Sequence, residues 1–283
     1  MSDRDPVAPE PDRTPRTTLP GVSNAIPDEP GTRTSPRSAL LAGPRRLVVT
    51  DVDSTFITAE VIELLAARAG SQDEVAHITE RAMRGELDFA ASLHERVATL
   101  AGLPVSVFDD VLAELHLSPG AVELVAALAE AGWPLALVSG GFHEVVDRLA
   151  ASLGITLTRA NRLEVVEGRL TGRVQGPVVD RAGKAAALRE FAAIEGIDLA
   201  HTLAIGDGAN DLDMLAAAGI GIAFHAKPAV RASADLAWDG PLDEVLDLVA
   251  TTLRDVSAPG PRPGSVGRSA RPTTATEPPS PRR

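Results

Sequence analysis

Two aspartates separated by one residue, Asp51 and Asp53, follow the apolar run Leu47–Val49 after a single threonine. Such a run predicts a buried strand, and in an open α/β sheet ligands bind beyond the carboxyl ends of the strands. Carboxylates in this position can divide the work of catalysis, one attacking as a nucleophile while the other moves protons. By itself the pair has other interpretations, because short Asp-x-Asp pairs also occur in metal-dependent transferases and in ordinary turns.

Three further polar clusters occupy comparable positions along the chain. They are Ser139-Gly140-Gly141, Lys184, and Gly206-Asp207-Gly208-Ala209-Asn210-Asp211. Acids, a lysine and a glycine-flanked serine together favour phosphoryl transfer. A carboxylate that attacks a phosphate meets like-charge repulsion, so a cation must lie between them, and Mg²⁺ suits a few carboxylates, waters and the phosphate. A serine hydroxyl and N–H groups at a helix start can hold phosphate oxygens, while an ammonium neutralises charge.

Each cluster also has a purely structural interpretation. The serine cluster fits an ordinary strand-to-helix turn, the segment 206–211 fits a loop with a helix cap, and a lone lysine fits a solvated surface position. Among 27 basic residues, however, only Lys184 and Lys227 are lysines. A lysine at a motif position in so arginine-biased a chain indicates a site that requires a compact ammonium rather than a guanidinium fork.

The elements that must position these clusters alternate between strands and helices. Strands are predicted at 45–50, 134–138, 202–205, 220–224 and 235–238, with a hairpin over 160–180 that turns at Gly168. Helices are predicted at 120–131, 142–153, 183–194, 212–218 and 242–253. This alternation predicts an α/β fold with a parallel sheet flanked by helices and right-handed crossovers. The helical stretch at about 58–117, broken near 83–89, is too long for a crossover and predicts a small helical cap inserted after the first strand.

Proline divides the chain into three parts. Of 22 prolines, 8 lie in residues 1–43 and 7 in residues 257–283, and both ends have few apolar runs. Such segments cannot bury enough apolar surface to offset the entropy of ordering. We therefore expect a disordered tail rich in Pro, Arg and Thr at 1–43, a folded core at 44–255, and a disordered basic tail at 256–283.

Charge and cysteine content exclude several classes of function. The net charge of −12 divides into about −1 on the first tail, +4 on the last and −15 on the core, which argues against a nucleic-acid surface on the core. The chain contains no cysteine, which rules out thiol catalysis and cysteine-ligated metals. With neither a signal peptide nor an apolar run of membrane-spanning length, the sequence predicts a cytoplasmic protein whose partner is a small molecule rather than nucleic acid or a membrane.

The order and spacing of the four clusters resemble those of the haloacid dehalogenase superfamily. The matching segments are Asp51-Val52-Asp53-Ser54-Thr55, Ser139, Lys184 and Gly206–Asp211. Over about residues 46–250 the chain is similar to the phosphoserine phosphatase family within that superfamily. This likeness extends through Ala82–Phe89, Ala160-Asn161, Val179–Lys184 and Ala226-Lys227-Pro228. The resemblance implies the superfamily's Rossmann-like parallel sheet with a helical cap.

The resemblance also implies a role for each matching residue. Asp51 would be the nucleophile that forms an aspartyl-phosphate, and Asp53 would be the general acid and base. Mg²⁺ would be held by Asp51, the Asp53 backbone carbonyl and Asp207, with Asp211 supporting them. The substrate-binding residues would be Ser139, Gly140, Lys184 and Asn210 for the phosphate, Glu60 for the ammonium, Arg96 for the carboxylate, and Met83 and Phe89 as shields of the site.

The activity implied by the resemblance is hydrolysis of O-phosphoserine, the last step of serine biosynthesis. Glu60 and Arg96 suit this substrate because a small zwitterion needs one acid and one bidentate base. Two alternatives stay open at this point. One is a related phosphatase or phosphotransferase acting on another small phosphorylated metabolite, and the other is a noncatalytic module that binds Mg²⁺ or phosphate.

Overall fold

The computed structural model describes residues 35–257, of which 256 and 257 are described by their backbone alone. The strands are β1 Leu47–Asp51, β2 Leu135–Phe142, β3 Leu157–Val166, β4 Arg169–Gln175, β5 Thr202–Gly206, β6 Ile220–Phe224 and β7 Leu236–Trp238. The helices are α1 Pro36–Leu41, α2 Val61–Ala69, α3 Gln72–Met83, α4 Phe89–Ala98, α5 Val107–Glu114, α6 Ala121–Ala131, α7 His143–Ser152, α8 Arg181–Glu195, α9 Leu212–Ala217, α10 Pro228–Arg231 and α11 Val245–Ser257. The predicted α/β class is confirmed.

The described strands form one sheet in the order β4-β3-β2-β1-β5-β6-β7. Every neighbouring pair is parallel except the β3–β4 hairpin, whose turn at Glu167 and Gly168 has two positive φ angles. β1 lies between β2 and β5, and Thr50 pairs with Ile205. The residues that follow β1 and β5 therefore meet at one edge of the sheet, as parallel strands require.

Two apolar clusters cover the two faces of the sheet. Alternate residues of β1 take part in each: Val48 packs with the α2, α6 and α11 side, and Leu47 and Val49 pack with the α8 and α9 side. Every residue of β1 is buried, as expected for a central parallel strand covered on both faces. A strand that is buried along its whole length thus ends at the candidate nucleophile.

Four helices, α2 to α5, form the insertion between β1 and α6. A β-bridge between Ile57 and Leu117 brings the two ends of the insertion together, close to the predicted limits of 58 and 117. A second bridge, between Pro104 and Arg169, ties the insertion to β4. The insertion is therefore anchored to the sheet at its neck and at the edge hairpin.

The end of β2 differs from the prediction. We expected the strand to stop at Val138 and Ser139-Gly140-Gly141 to form a turn at a helix start, but β2 continues to Phe142 and α7 begins at His143. The pairing of β2 with β3 shifts register between Val138 and Phe142. An irregular strand end therefore replaces the expected helix N-terminus at the serine, because pairing with β3 resumes beyond the glycines.

The folded part also begins earlier than the expected boundary at 44. Helix α1 lies within the range 1–43 and contacts α11, with Arg37 Nη1 placed 2.8 Å from Asp243 Oδ2. Ser35 begins the helix by accepting a hydrogen bond from Ser38 N, and Pro36 takes the first helical position. Residues 1–34 and 258–283 of the expected tails lie outside the described residues. Within the described range no helix is long and apolar enough to cross a membrane.

Candidate active site

Asp51 is the last residue of β1, and its side chain is almost completely buried. Its Oδ1 accepts a hydrogen bond from Val52 N at 2.7 Å and lies 2.6 Å from Lys184 Nζ. The pKa of Asp51 is raised well above its usual value by burial and by the charge of Asp211, although Lys184 acts in the opposite direction. The orientation of this carboxylate is thus fixed by its own strand end and by a lysine from α8.

Lys184 is completely buried on α8, between two carboxylates. Its Nζ lies 2.6 Å from Asp51 Oδ1 and donates a hydrogen bond of 2.7 Å to Asp211 Oδ1. Burial by itself would lower the pKa of Lys184, but the charges of Asp211 and Asp51 outweigh burial and raise it. The ammonium therefore stays charged. A compact cation lies in the site at the position where the lysine content indicated one.

Asp207 and Asp211 follow β5 in the loop that leads to α9. Thr55 Oγ1 donates to Asp207 Oδ1 at 3.0 Å, and Gly208 N donates to Asp211 Oδ2 at 2.9 Å. A Cβ at Gly206 would lie 2.5 Å from Asp211 Cγ, so only glycine lets that carboxylate reach back over the strand end. The loop therefore holds both acids next to β1.

The three carboxylates of Asp51, Asp207 and Asp211 offer oxygens that lie within 4.8 Å of one another. The pKa of Asp207 is raised by burial and then by the charge of Asp211, as is that of Asp51. A single lysine faces this acidic group, so negative charge remains to be neutralised. Hard oxygen donors with excess negative charge suit a divalent cation such as Mg²⁺. These three residues therefore fit a metal site. The carboxylate of Asp53 does not belong to this group of three.

Asp53 connects the sheet to the cap. Its Oδ1 accepts a hydrogen bond from Val61 N at the start of α2, at 2.8 Å, and its Oδ2 accepts one from Ser139 Oγ at 2.7 Å. Ser139 Oγ in turn accepts from Gly141 N at 2.6 Å. A Cβ at Gly141 would lie only 2.8 Å from Asp53 Oδ2, which explains the glycine. The acid is therefore held at a fixed position beside Asp51.

Asn161 supports the irregular end of β2, a role that the sequence did not indicate. Its Nδ2 donates to Gly140 O at 2.8 Å, and its Oδ1 accepts from Val179 N at 2.7 Å. The side chain is buried, so both hydrogen bonds are shielded from water. The segment Ala160-Asn161 was a point of family resemblance, but its function becomes apparent only when β3 is seen beside β2.

The cap contributes one acid and one base to the site. Glu60 precedes α2, and its Oε1 accepts a hydrogen bond from Ser54 Oγ at 2.7 Å. Burial and the nearby charge of Asp53 raise the pKa of Glu60 to about 7. Arg96 lies on α4, where its Nε donates to Ser92 O at 3.3 Å and burial lowers its pKa. The cap thus places one acidic and one basic side chain, Glu60 and Arg96, in the space above the sheet.

One cavity of about 680 Å³ lies between the sheet edge and the cap. The predicted site residues that line it are Asp51, Asp53, Glu60, Met83, Phe89, Arg96, Gly140, Asp207 and Asn210. Three others are buried behind this lining: Ser139 contacts Asp53, Lys184 contacts Asp51, and Asp211 contacts Lys184. Met83 lines the cavity while its side chain is 71% exposed, and Phe89 Cζ lies 2.9 Å from where a Cβ on Gly140 would be.

Several lining residues were not predicted. They include Ile62, Thr79, Ser92, Leu93, Arg181 and Lys227. The scarcity of lysine pointed to Lys227, and both Lys227 and Arg181 lie in segments of family resemblance, but no role was assigned to either. Arg181 Nη2 lies 2.6 Å from Asp213 Oδ1, so its charge is already paired in part. A serine and a threonine inside helices carry no sequence signal that distinguishes a cavity wall from a solvated face.

The chain resembles known proteins over the part that carries this site. A family model described as haloacid dehalogenase-like hydrolase matches residues 48–216. A phosphoserine phosphatase of Streptomyces coelicolor is 59% identical over 215 residues, which cover 76% of this chain and 52% of that protein. One of Streptococcus thermophilus is 57% identical over 188 residues, 66% of this chain and 87% of that protein.

Solved structures of phosphoserine phosphatases are also similar to this chain. A phosphoserine phosphatase solved as a phospho-aspartyl intermediate analogue has a TM-score of 0.68 and 40% identity, covering 73% of this chain and 99% of that one. A substrate-bound phosphoserine phosphatase complex has a TM-score of 0.69 and 39% identity with the same coverage. The chain spans about half the length of the Streptomyces coelicolor relative and of a Mycobacterium tuberculosis relative, 52% and 53%.

Proposed function

The chain belongs to the haloacid dehalogenase-like hydrolase family, and we propose that it hydrolyses O-phosphoserine to serine and inorganic phosphate. One observation carries the proposal: Asp51 on the sheet and the charged pair Glu60 and Arg96 on the cap line the same cavity. A phosphorylated amino acid has a phosphate at one end and a zwitterion at the other. The cavity offers groups complementary to both ends, with the nucleophile at the phosphate end.

The first step is phosphoryl transfer to Asp51. Its Oδ1 is held by Val52 N and Lys184, so Oδ2 is the oxygen that attacks phosphorus. The phosphorus–oxygen bond to serine breaks, and the serine oxygen takes the proton of Asp53 in its acid form. The products of this step are serine and an aspartyl-phosphate, a covalent intermediate that divides one difficult displacement into two easier ones.

The second step is hydrolysis of the aspartyl-phosphate. Asp53, now a carboxylate, removes a proton from a water molecule as the water oxygen attacks phosphorus. The bond between phosphorus and Asp51 breaks, which releases inorganic phosphate and restores both aspartates. The hydrogen bond from Val61 N keeps Asp53 in one orientation for both proton transfers, which leaves the Ser139 hydroxyl free to turn towards the phosphate.

The phosphoryl group is held by the residues around the strand ends. Ser139, Gly140 and Asn210 would bind its oxygens, and Lys184 would neutralise charge on the attacking carboxylate as the oxygens approach. Lys184 is already fixed by Asp51 and Asp211, so it needs no rearrangement during the reaction. Such preorganised charge is worth more in a dry site than in water.

Mg²⁺ would be held by Asp51, the backbone carbonyl of Asp53 and Asp207, with Asp211 supporting them. The acidic group within 4.8 Å and the raised pKa values of Asp51 and Asp207 support this assignment. When bound, the ion supplies positive charge between nucleophile and phosphate. The carboxylates and Lys184 supply the orientation of the reacting groups.

Substrate choice rests on the cap. Glu60 would pair with the substrate ammonium, and Arg96 would bind its carboxylate with two parallel N–H groups. Among the described residues no carboxylate lies within ion-pair distance of Arg96, so its outer N–H groups are available. Met83 and Phe89 would shield the reacting groups from water.

The test is a substrate panel. Phosphate release by the purified chain with Mg²⁺ is measured for phosphoserine, phosphothreonine, a sugar phosphate and a nucleotide. We expect the highest kcat/KM for phosphoserine, and a lack of preference for it would overturn the proposal. Preference for another phosphomonoester, or transfer of phosphate to an acceptor other than water, would indicate a related phosphatase or phosphotransferase. Unchanged phosphoserine turnover in Arg96→Ala would also support this alternative.

A further inference from the structure

Ser92 has a buried hydroxyl without a partner. Its side chain is 2% exposed, it lines the active-site cavity, and its Oγ makes no hydrogen bond to any described residue. A buried polar atom that is left unpaired is costly, so such atoms are rare and call for an explanation. The hydroxyl is an unused hydrogen-bond donor and acceptor on a residue that lines the cavity.

Three other hydroxyls in the cap have partners within the protein. Thr79 Oγ1, also in the cavity wall, donates to Val75 O at 2.9 Å, and Ser71 Oγ and Thr99 Oγ1 are 3.0 Å apart. Within residues 35–255 the one other buried side-chain atom without a partner is Arg46 Nε, which is not part of the cavity wall. Ser92 is therefore unusual in being both unpaired and part of the cavity wall.

Ser92 and Arg96 lie on the same face of α4. They are four residues apart, one helical turn, and Arg96 Nε donates to Ser92 O at 3.3 Å. Both residues line the cavity. Since Nε is used in this way, the terminal N–H groups of Arg96 remain for a ligand. The Ser92 hydroxyl, one helical turn from Arg96, would approach such a ligand from the same face of α4.

A carboxylate can use both groups at once. Its two oxygens have about four lone-pair sites, and a guanidinium that donates two parallel N–H groups fills only two of them. A serine hydroxyl can donate to a third. The other charged parts of the substrate already have partners, because Glu60 faces the ammonium and the strand ends face the phosphate. A free donor beside Arg96 therefore suits the carboxylate.

We propose that the Ser92 hydroxyl is a further substrate-binding group, which donates a hydrogen bond to the carboxylate bound by Arg96. It thereby favours a phosphorylated amino acid over a phosphomonoester without a carboxylate. This inference rests on the proposed phosphoserine phosphatase function and names an additional determinant of its specificity. No covalent step is involved, and the effect is on substrate binding.

The experiment compares Ser92→Ala and Ser92→Cys with the unaltered chain, in the presence of Mg²⁺. Alanine removes the hydroxyl, and cysteine keeps a side chain of similar size with only a weak donor. The substrates are phosphoserine and phosphoethanolamine, which lacks the carboxylate. We expect the ratio of kcat/KM for phosphoserine to that for phosphoethanolamine to fall by about tenfold or more in both variants, mainly through KM for phosphoserine.

Ser71→Ala is the matched control. It removes a cap hydroxyl that has a protein partner and lies outside the cavity wall, so the thermal midpoint should fall while the substrate ratio stays the same. Ser92→Ala should keep the thermal midpoint, because it removes an unpaired polar atom. An unchanged ratio, or an equal loss for both substrates together with a lower thermal midpoint, would overturn the role of Ser92. If the unaltered chain has no preference for phosphoserine, the proposed function itself fails.

Discussion

Lys184 Nζ lies 2.6 Å from Asp51 Oδ1, and both side chains are buried at the point where β1 meets the start of α8. Asp211 shares the same ammonium at 2.7 Å. A buried ion pair is weak evidence for stability, because desolvation of the charges offsets much of their attraction. This cluster is better explained as charge kept ready for the proposed reaction, with a stability cost when any one member is removed.

Removal of the lysine charge should therefore affect both stability and activity. In Lys184→Met, Asp51 and Asp211 lose their shared cation, and we expect the free energy of unfolding to fall by about 3–5 kcal/mol, as when one partner of a buried pair is removed. The pKa of Asp51, already raised by burial and Asp211, should rise further and leave less of the nucleophilic carboxylate. Urea unfolding without metal measures the first effect and phosphate release the second.

Lys227→Met is the stability control, since Lys227 is exposed and forms no ion pair with any residue in the described range. Its free energy of unfolding should stay within about 0.5 kcal/mol of the unaltered chain. Equal unfolding curves for the two lysine variants would contradict the structural account of Lys184.

Asp51→Asn tests the covalent mechanism and the noncatalytic alternative together. The amide keeps the shape of the side chain but is not a nucleophile, so we expect kcat to fall by about 10⁴-fold or more, as when a nucleophile is deleted. The chain trapped in acid during turnover should carry no acyl-phosphate. Asp73→Asn, an exposed cap position, is the matched control and should retain both signals. Unchanged turnover in Asp51→Asn would remove the covalent mechanism.

The position of the site followed from the sequence because local patterns fixed the strand ends. The runs Leu47–Val49 and Thr202–Ile205 are each followed, after one intervening residue, by an acid. Parallel pairing of β1 with β5 brings Asp51 beside the loop that carries Asp207. No distant information was needed beyond the rule that parallel strands end at one edge.

Features set by contacts between distant segments were not predicted. Two glycines after Ser139 favour a turn locally, yet β2 continues past them because it pairs again with β3 at Phe142 and Asn161. Helix α1 lies in a proline-rich stretch, and its contacts with α11 include Arg37 and Asp247. That the Ser92 hydroxyl is unpaired is likewise a property of the assembled cavity, which composition and periodicity do not report.

Metal removal should destabilise the protein as well as stop turnover. Asp51, Asp207 and Asp211 repel one another without a cation, so Mg²⁺ at a hundred times its Kd should add about 2.7 kcal/mol to the free energy of unfolding. Chelation should abolish phosphate release, and added Mg²⁺ should restore it. In Asp207→Asn the Mg²⁺ concentration for half-maximal activity should rise. A thermal midpoint that does not respond to Mg²⁺ in the unaltered chain would contradict a metal at these residues.

The pH dependence of substrate capture should report Glu60. Burial and the charge of Asp53 raise its pKa to about 7, so below this pH the free protein holds mostly the neutral acid, which cannot pair with an ammonium. We expect kcat/KM for phosphoserine to fall as the pH decreases through about 7, since this parameter reports groups of the free protein.

The control substrate is 3-phosphoglycerate, which has a hydroxyl instead of the ammonium. Its pH profile corrects for titration of the phosphate and should lack this step, the fall in kcat/KM near pH 7. Glu60→Gln should remove the step and lower kcat/KM for phosphoserine, whereas Glu63→Gln, one turn into α2, should retain it. A step of equal size in Glu60→Gln would assign the titration to another group.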